Sequence, residues 1–313
     1  MSSPIYTALV DRTDAAADLP REITEQIVGA IVKESTALSL GHQVPTTTRD
    51  SRIPVLTSAP DAYWISGDAG MKQTSGAVWT NEVLFAEEIA TIVPIPDAVI
   101  ADSEFALWDA LRPLMARAMA RRLDKAVLFG IDKPSSWGLS MAESAVATGN
   151  IAATTTGPAD PVGDMLAAAE MVGDDGYPPT GAVVRPGWQY KAARLRTYAF
   201  SANPIGADQP FPLSVAGLGI ATDPVFWDRT TAECLVADWS NVLIGLRTDI
   251  QVEIFNSGVI SDDTGKIVLN LMQQDTSAMR ATMRVGYLLA NPVTNVDGPG
   301  CPVAIVQPLT SGS

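Results

Sequence analysis

The stretch that decides the fold is residues 90–138, ATIVPIPDAVIADSEFALWDALRPLMARAMARRLDKAVLFGIDKPSSWG. It begins with a short apolar run rich in Ile, Val and Thr, which is typical of a strand. Asp102 and Ser103 then favour a helix start, so the pattern predicts one long helix over residues 102–129. Pro113 lies inside that helix, where it removes a backbone hydrogen bond and is expected to produce a kink.

The composition indicates a folded chain. Of its 313 residues, 47% are hydrophobic and 18% are charged, which is typical of globular proteins and not of disordered ones. The formal charge of -14 argues against a surface that binds nucleic acid broadly, because phosphate affinity comes from clustered Lys and Arg. Cys234 and Cys301 have no metal-ligand spacing and are expected to be reduced thiols.

The N-terminal residues predict neither a secretory leader nor a membrane anchor. Residues 1–20 lack the basic and apolar regions of a signal peptide. No run approaches the roughly 18 apolar residues that indicate a membrane span. We therefore expect a soluble chain that is made inside the cell.

Two early segments carry apolar residues that they cannot bury alone. Residues 1–48 are predicted to be an arm with a short amphipathic helix, because Ile23, Ile27 and Ile31 recur at near-helical spacing. Residues 49–89 are predicted to form a long β-hairpin around a Gly/Ser-rich tip. An isolated hairpin is marginal in water, so we expect both segments to need a partner surface.

The remaining segments are predicted to form a mixed sheet with helices. Residues 140–160 are low in complexity and are expected to be a loop. Residues 161–172 are helical in composition, and strands are expected at residues 181–184, within 217–256, at 267–271, at 279–289 and close to the C terminus.

Catalytic signatures are missing from the sequence. His42 is the only histidine, and the common nucleophile, zinc-protease, P-loop and dinucleotide motifs do not occur. The Asp pairs at residues 174–175 and 262–263 lack the ligand spacing of a calcium loop. We expect no enzyme activity, no cofactor and no metal site, with a two-domain enzyme of unrecognised type as the least favoured alternative.

The order of these segments resembles the tailed-phage major capsid proteins with the HK97 fold. The resemblance extends from about Tyr63 to the C terminus, through the strand and long helix, the Leu128-Phe129-Gly130 turn and Trp137-Gly138-Leu139. It continues in GAVVRPGW (residues 181–188) and in AMRATMRVGYLLANP (residues 278–292). No single motif is specific, and the evidence lies in their common order.

The resemblance implies an α+β, HK97-like capsid fold with four parts. They are an N-terminal arm (residues 1–48), an E-loop hairpin region (49–89), a peripheral or P-domain (90–160 and 281–313, with spine helix 102–129) and an axial or A-domain with a mixed sheet (161–280). The implied function is to self-assemble into pentamers and hexamers of an icosahedral head around double-stranded DNA. An encapsulin-like nanocompartment shell is the alternative.

The implied location is the virion, after synthesis in the host cytoplasm. The implied partners are further copies of the chain, a scaffolding protein, a portal, a cement or decoration protein, and packaged DNA through weak non-specific contact. No membrane partner is expected.

Candidate contacts between subunits come from the hairpin and from the long helix. They are Trp64, Lys72, Trp79, Glu82, Leu84, Glu87, Arg117, Arg121 and Arg122. The arginines have two interpretations: they face packaged DNA, or they form salt bridges with hairpin acids such as Glu82, Glu87 and Glu88. We favour the salt bridges, because the net charge is negative and such pairs set assembly register.

Some capsid proteins of this fold join subunits through an isopeptide bond between a hairpin Lys and a P-domain Asn, assisted by a Glu. Lys72 lies at the matching hairpin tip, whereas Asp275 and Thr282 fall near the other two positions. Neither has the required chemistry, so no covalent cross-link is expected.

Overall fold

The computed structural model describes residues 35–65, 72, 74–103, 107–155, 160–192, 214–223, 225–262, 264–294 and 300–309, with only the backbone given for residues 248–250. The helices are α1 (Thr36–Leu40), α2 (Asp97–Asp102), α3 (Leu107–Phe129), α4 (Met141–Thr148) and α5 (Pro161–Asp174), with a 3-10 turn at Trp239–Asn241. The strands are β1 (His42–Pro45), β2 (Asp50–Ser58), β3 (Val78–Pro96), β4 (Ile151–Ala153), β5 (Gly181–Val184), β6 (Ser214–Val215), β7 (Leu218–Thr222), β8 (Cys234–Ala237), β9 (Val242–Phe255), β10 (Val259–Ser261), β11 (Ile267–Asn270), β12 (Thr276–Leu289) and β13 (Val303–Gln307).

A five-stranded sheet in the order β1-β9-β12-β3-β2 forms one half of the fold. Strand β3 is 19 residues long and pairs antiparallel with β12 over residues 86–96. Its first part pairs antiparallel with β2, from Ser58 opposite Val78 to Asp50 opposite Phe85. The predicted hairpin is therefore present, and one strand connects it to the sheet.

Helix α3, the spine helix, packs its apolar side against this sheet. Met115, Met119 and Leu123 are buried in one cluster with Met279 and Met283 of β12. Pro113 lies within the helix, which continues through it to Phe129.

The spine helix ends where the sequence predicts and begins later than expected. Gly130 adopts φ 71°, and its amide donates to the carbonyl of Ala126 at 3.1 Å, which is the αL type of helix end. The amide of Ile131 donates to the carbonyl of Lys125, also at 3.1 Å. Asp102, the predicted start, instead ends the separate helix α2. The favourable N-cap residue Ser103 thus follows a helix, and residues 104–106 lie outside the described part of the chain.

A six-stranded sheet in the order β4-β13-β8-β5-β7-β6 forms the other half. Helix α5 packs on it through Met165, Ala168 and Val172, which share a cluster with Val184 of β5 and Val236 of β8. The predicted strands and the predicted helix of this region are present.

The prediction of a loop over residues 140–160 is wrong. Ser140 accepts the amide of Glu143 while the Glu143 carboxylate accepts the amide of Ser140, and this capping box starts α4. Gly149 ends the helix with φ 85°, and β4 then pairs in parallel with β13.

The predicted domain limits cut across both sheets. Strand β9, within the segment predicted as the A-domain, pairs with β12 and belongs to the five-stranded sheet. Strands β4 and β13, within the segments predicted as the P-domain, belong to the six-stranded sheet. Each strand belongs to the sheet whose strands it pairs with, and these partners are distant in the sequence. Domain limits drawn as continuous ranges of the sequence therefore do not coincide with the sheets.

In the predicted N-terminal arm, Ser35 has an extended backbone and is the N-cap of α1, so residues 36–40 form a short helix of their own and the expected helix is not continuous through Ser35. Gly41 follows the last residue of α1. Ile23, Ile27 and Ile31 lie outside the described residues. Throughout the ranges given above, each helix is too short or too polar to cross a lipid bilayer.

Candidate functional site

The tip of the β2–β3 hairpin carries large aromatic side chains that are exposed in the subunit. Trp64 is 100% exposed and Trp79 is 62% exposed, and Tyr63 beside Trp64 is also exposed. Lys72 lies at the same tip with an exposed side chain. A soluble surface with several large aromatic groups in one projection is typical of a contact site.

Leu84 lies further down the same strand and differs from the other candidates. Its side chain is 0% exposed and packs with Val55, Leu243 and Ala290. The structure therefore assigns Leu84 to the core of the subunit, not to a contact surface. The reason is that the strand passes from the hairpin into the sheet, where alternate side chains face inward.

Two glycines make room for Leu84. A Cβ added at Gly286 would overlap Leu84 Cδ2 and lie 2.9 Å from the Phe85 carbonyl oxygen. A Cβ added at Gly245 would overlap the same methyl group. At the base of the hairpin, the Leu84 side chain thus packs directly on the backbone of Gly286 in β12 and Gly245 in β9.

Polar contacts also fix the base of the hairpin. The indole N–H of Trp137 donates to the carbonyl oxygen of Phe85 at 2.9 Å. Glu87 accepts from Ser136 Oγ at 2.9 Å and pairs with Arg49 at 3.1 Å. The hydrogen bond from Ser136, and then the contact with Arg49, lower the pKa of Glu87. Higher up the hairpin, partial burial raises the pKa of Glu82.

The predicted ionic candidates have partners inside the subunit in several cases. Glu88 pairs with Arg284 at 2.9 Å, and Arg122 pairs with Asp132 at 2.6 Å. The Arg121 guanidinium lies 5.7 Å from the centre of the Phe226 ring, an aromatic contact that adds about 0.5–1 kcal/mol at exposed sites. Arg117 is exposed on the same helix.

A groove of about 660 Å³ runs between β3 and the spine helix. One wall is formed by residues 87–91 of β3, and the other by Met119, Leu123 and Ala126 of α3. Trp137 also lines the groove, together with the charged residues Glu87, Glu88, Arg122, Asp132 and Lys133.

The β3 wall of the groove is an open strand edge. The amide of Ala86 donates to the Arg49 carbonyl at 2.8 Å, on the side away from β12. Because alternate residues of a strand direct their backbone groups to the same side, Glu88, Ala90 and Ile92 direct theirs away from β12 as well. Among the described strands, none pairs with this part of the edge.

The described residues offer little for catalysis. They contain no group of three or more His, Cys, Asp or Glu side chains that could hold a metal ion. His42 is exposed on β1. Cys234 and Cys301 are buried free thiols, and burial raises the pKa of Cys234.

The sequence patterns led to the hairpin and to the arginines, but they missed the groove and the role of Trp137. In the sequence, Trp137 is recognisable only as a residue of a turn. It lies 52 positions from Phe85, so no local spacing connects the two residues. The only hint is that the indole N–H of a buried Trp usually has a hydrogen-bond acceptor.

Comparison with known proteins decides the family. The model of the phage capsid family matches residues 17–293. The chain belongs to the phage capsid family. The major capsid protein of Staphylococcus phage 80alpha is 22% identical over 279 residues, covering 87% of this chain and 82% of that protein.

Solved structures agree with this family. One from Mycobacterium phage Bobi is 31% identical with a TM-score of 0.77 and covers 97% of this chain and 100% of its own. The capsid of a native GTA particle, computed with C5 symmetry, is 15% identical with a TM-score of 0.58, covers 93% of each chain and supports the fold alone.

The resemblance to tailed-phage major capsid proteins is thereby confirmed, together with a mixed α+β fold. The phage capsid family consists of structural proteins of the virion that associate with their own copies. The matches favour a phage capsid protein over an encapsulin-like shell.

Proposed function

We propose that this capsid protein forms the pentamers and hexamers of an icosahedral head that encloses double-stranded DNA. The observation that carries the proposal is the β2–β3 hairpin, whose tip exposes Trp64 completely and Trp79 largely. Aromatic anchors of this kind are over-represented at the centres of protein interfaces. The C5 symmetry stated for the related GTA capsid supports a five-fold assembly.

The hairpin acts as an E-loop that reaches a neighbouring subunit, and the spine-helix groove is the surface that receives it. The groove volume of about 660 Å³ is sufficient for the aromatic side chains of the tip. Burying one Trp removes about 150–250 Å² from water, worth roughly 4–6 kcal/mol before the costs of association. Each subunit offers one hairpin and one groove, so the contact can repeat around a ring.

The division of labour follows the two sheets. The P-domain comprises the spine helix with β9, β12 and residues 90–96 of β3, and the A-domain comprises the six-stranded sheet with α5. Residues 1–48 act as the N-terminal arm and residues 49–89 as the E-loop region. Support comes from α5, which packs on one face of the six-stranded sheet. The other face, through Val183, Leu235 and Val303, belongs to the cluster under the spine helix.

Charged residues set the register between subunits. Arg117 and Arg121 lie one helical turn apart on the spine helix, and we assign Arg117 to salt bridges across the interface. Arg121 and Arg122 would join it only by leaving their contacts with the Phe226 ring and with Asp132 inside the subunit. Contact with packaged DNA is weak and non-specific, because the net charge is -14. A scaffolding protein, a portal and a cement or decoration protein complete the set of proposed partners.

Electron microscopy of the expressed protein tests the proposal. The wild type should yield closed shells with five-fold vertices. Trp64→Ala and Trp79→Ala should yield few or none, although circular dichroism of the subunits stays unchanged. Trp79→Phe is the matched control and should restore shells, because it keeps an aromatic anchor. Normal shells from both Ala variants would exclude the hairpin as the main contact.

A further inference from the structure

The spine helix holds a buried carboxyl group that binds a distant segment. Asp124 is fully buried and lies against the start of α1. Its Oδ1 accepts from Ser35 Oγ at 2.7 Å and from the Ala37 amide at 3.0 Å. Its Oδ2 accepts from the Thr36 amide at 3.1 Å. One side chain thus satisfies donors that the first turn of a helix leaves without partners.

This contact lies at the start of α1, within the segment predicted as the N-terminal arm. Ser35 is the N-cap of α1. Beyond it, Ala37 and Leu38 are buried in the cluster under the spine helix. The hydrogen bonds to Asp124 and the burial of these two side chains therefore fix α1 on α3.

A second buried carboxyl group acts on the first. Asp223, which directly follows β7, is fully buried. Its Oδ1 accepts the amides of Val225 at 2.8 Å and Phe226 at 3.0 Å. Its Oδ2 is buried without a hydrogen-bond partner among the described groups, so a negative charge on Asp223 is poorly compensated.

The nearby cations do not neutralise this carboxyl pair. Lys125 and Arg121, on the same turn of the spine helix, lie over the Phe226 ring, at 4.6 Å and 5.7 Å from its centre. Helix α1 contributes no ionisable side chain, since residues 36–40 read TALSL. Asp223 is therefore the charged group that raises the pKa of Asp124.

We propose that Asp124 and residues 35–37 form a proton-operated latch, which holds the root of the N-terminal arm firmly when Asp124 is protonated and loosens when it is ionised. The latch belongs to the single subunit and does not depend on shell geometry. A partner is not required to open it.

The electrostatics support this direction. Burial, followed by the charge of Asp223, raises the pKa of Asp124 from 3.8 to about 7, against the lowering effect of the three hydrogen bonds. When α1 leaves, Asp124 is exposed to water and its pKa returns toward 3.8. Between these values the closed latch binds a proton that the open latch lacks, so opening becomes up to about tenfold more favourable per pH unit as pH rises. Above about pH 7 the effect levels off.

Hydrogen exchange of the full chain tests the latch. Protection factors of the amides in residues 36–40, which correct for the intrinsic pH dependence of exchange, should fall between pH 5 and 7 by up to tenfold per unit. Asp124→Asn cannot titrate and should remove this dependence. Asp223→Asn removes the repulsion between the two carboxylates, so the fall in protection should occur at lower pH than in the wild type.

Asp164→Asn is the matched control, because Asp164 is also buried and accepts from the Thr155 amide at 3.1 Å, far from α1 in the chain. It should keep the wild-type profile. A flat wild-type profile, or a wild-type slope in Asp124→Asn, would overturn the proposal. If Asp124→Asn does not fold, an Asp223→Asn profile that coincides with the wild type would overturn it instead.

Discussion

Trp137 joins the end of the spine helix to the base of the hairpin, because its indole N–H donates to the carbonyl oxygen of Phe85 at 2.9 Å. Its ring also packs on Tyr287 of β12, with the ring centres 5.7 Å apart. A single side chain therefore contacts the turn, the hairpin strand and the central strand of the sheet.

Replacing Trp137 by Phe should destabilise the subunit by about 1–3 kcal/mol, because the Phe85 carbonyl loses its indole donor in a largely buried site. Urea unfolding of the isolated subunit measures the change. Trp64→Phe, at a fully exposed position, is the control and should stay within about 0.5 kcal/mol of the wild type. If the two substitutions lowered the unfolding free energy equally, the hydrogen bond to Phe85 would not account for the loss of stability.

Gly286→Ala should destabilise the subunit by about 1–3 kcal/mol through overpacking, because its Cβ would overlap Leu84. Gly219→Ala is the control, since a Cβ there meets no atom within 4 Å. In a double-mutant cycle, Gly286→Ala combined with Leu84→Ala should cost less than the sum of the single changes. Strict additivity would contradict the close approach of Leu84 to the strand backbone.

The unfolding free energy should fall as pH rises from about 5 to 7, because Asp124 has a pKa of about 7 in the folded chain against 3.8 without burial. A folded state that binds the extra proton gains stability at low pH, with a slope of at most about 1.4 kcal/mol per pH unit. The measurement compares urea unfolding of the wild type and Asp124→Asn at several pH values. The difference between the two unfolding free energies should change with pH. If both free energies changed with pH in the same way, the pH dependence would not come from Asp124.

The isolated subunit should have a radius of gyration clearly above the value of about 20 Å expected for a compact chain of 313 residues. The hairpin and the arm are the expected cause. Small-angle X-ray scattering of the Trp79→Ala variant, which should stay unassembled, gives the value. A radius at the compact limit would contradict a projecting arm and hairpin.

Mature particles heated in detergent should release one band near the chain mass of 33.0 kDa. An isopeptide bond needs a Lys amine, an Asn amide that loses ammonia, and a carboxylate that accepts a proton. Lys72 is exposed at the hairpin tip, but Thr282 lies on β12 opposite Ala90, and Asp275 is exposed in the turn before that strand. A ladder of larger bands that disappears in Lys72→Ala would show that a cross-link forms after all.

The features that the sequence predicted well are those encoded by neighbouring residues. The end of the spine helix follows from Phe129-Gly130, and the hairpin follows from two alternating runs around a polar tip. Helix α4 was also encoded locally, by Ser140, Glu143 and Gly149, but its small and polar residues resembled a loop.

The features that the sequence could not predict depend on distant contacts. The parallel pair of β4 and β13 joins residues near 151 and 305, and no spacing rule connects them. Leu84 has the same local pattern as its neighbours on the hairpin, and only Gly245 and Gly286 reveal that it is buried. Asp124 looked like one more charge on a helix, because its partners lie almost ninety positions earlier in the chain.

Strand β3 has a mechanical consequence. Its 19 residues extend over about 60 Å without a break between the hairpin and the end of the sheet. A pull on the hairpin tip by a neighbouring subunit travels as tension along this one backbone to the pairs with β12. There it acts along the strands, so that the hydrogen bonds are strained in shear together and do not open one after another. If the chain forms the proposed head, the whole length of that strand pair would resist internal pressure.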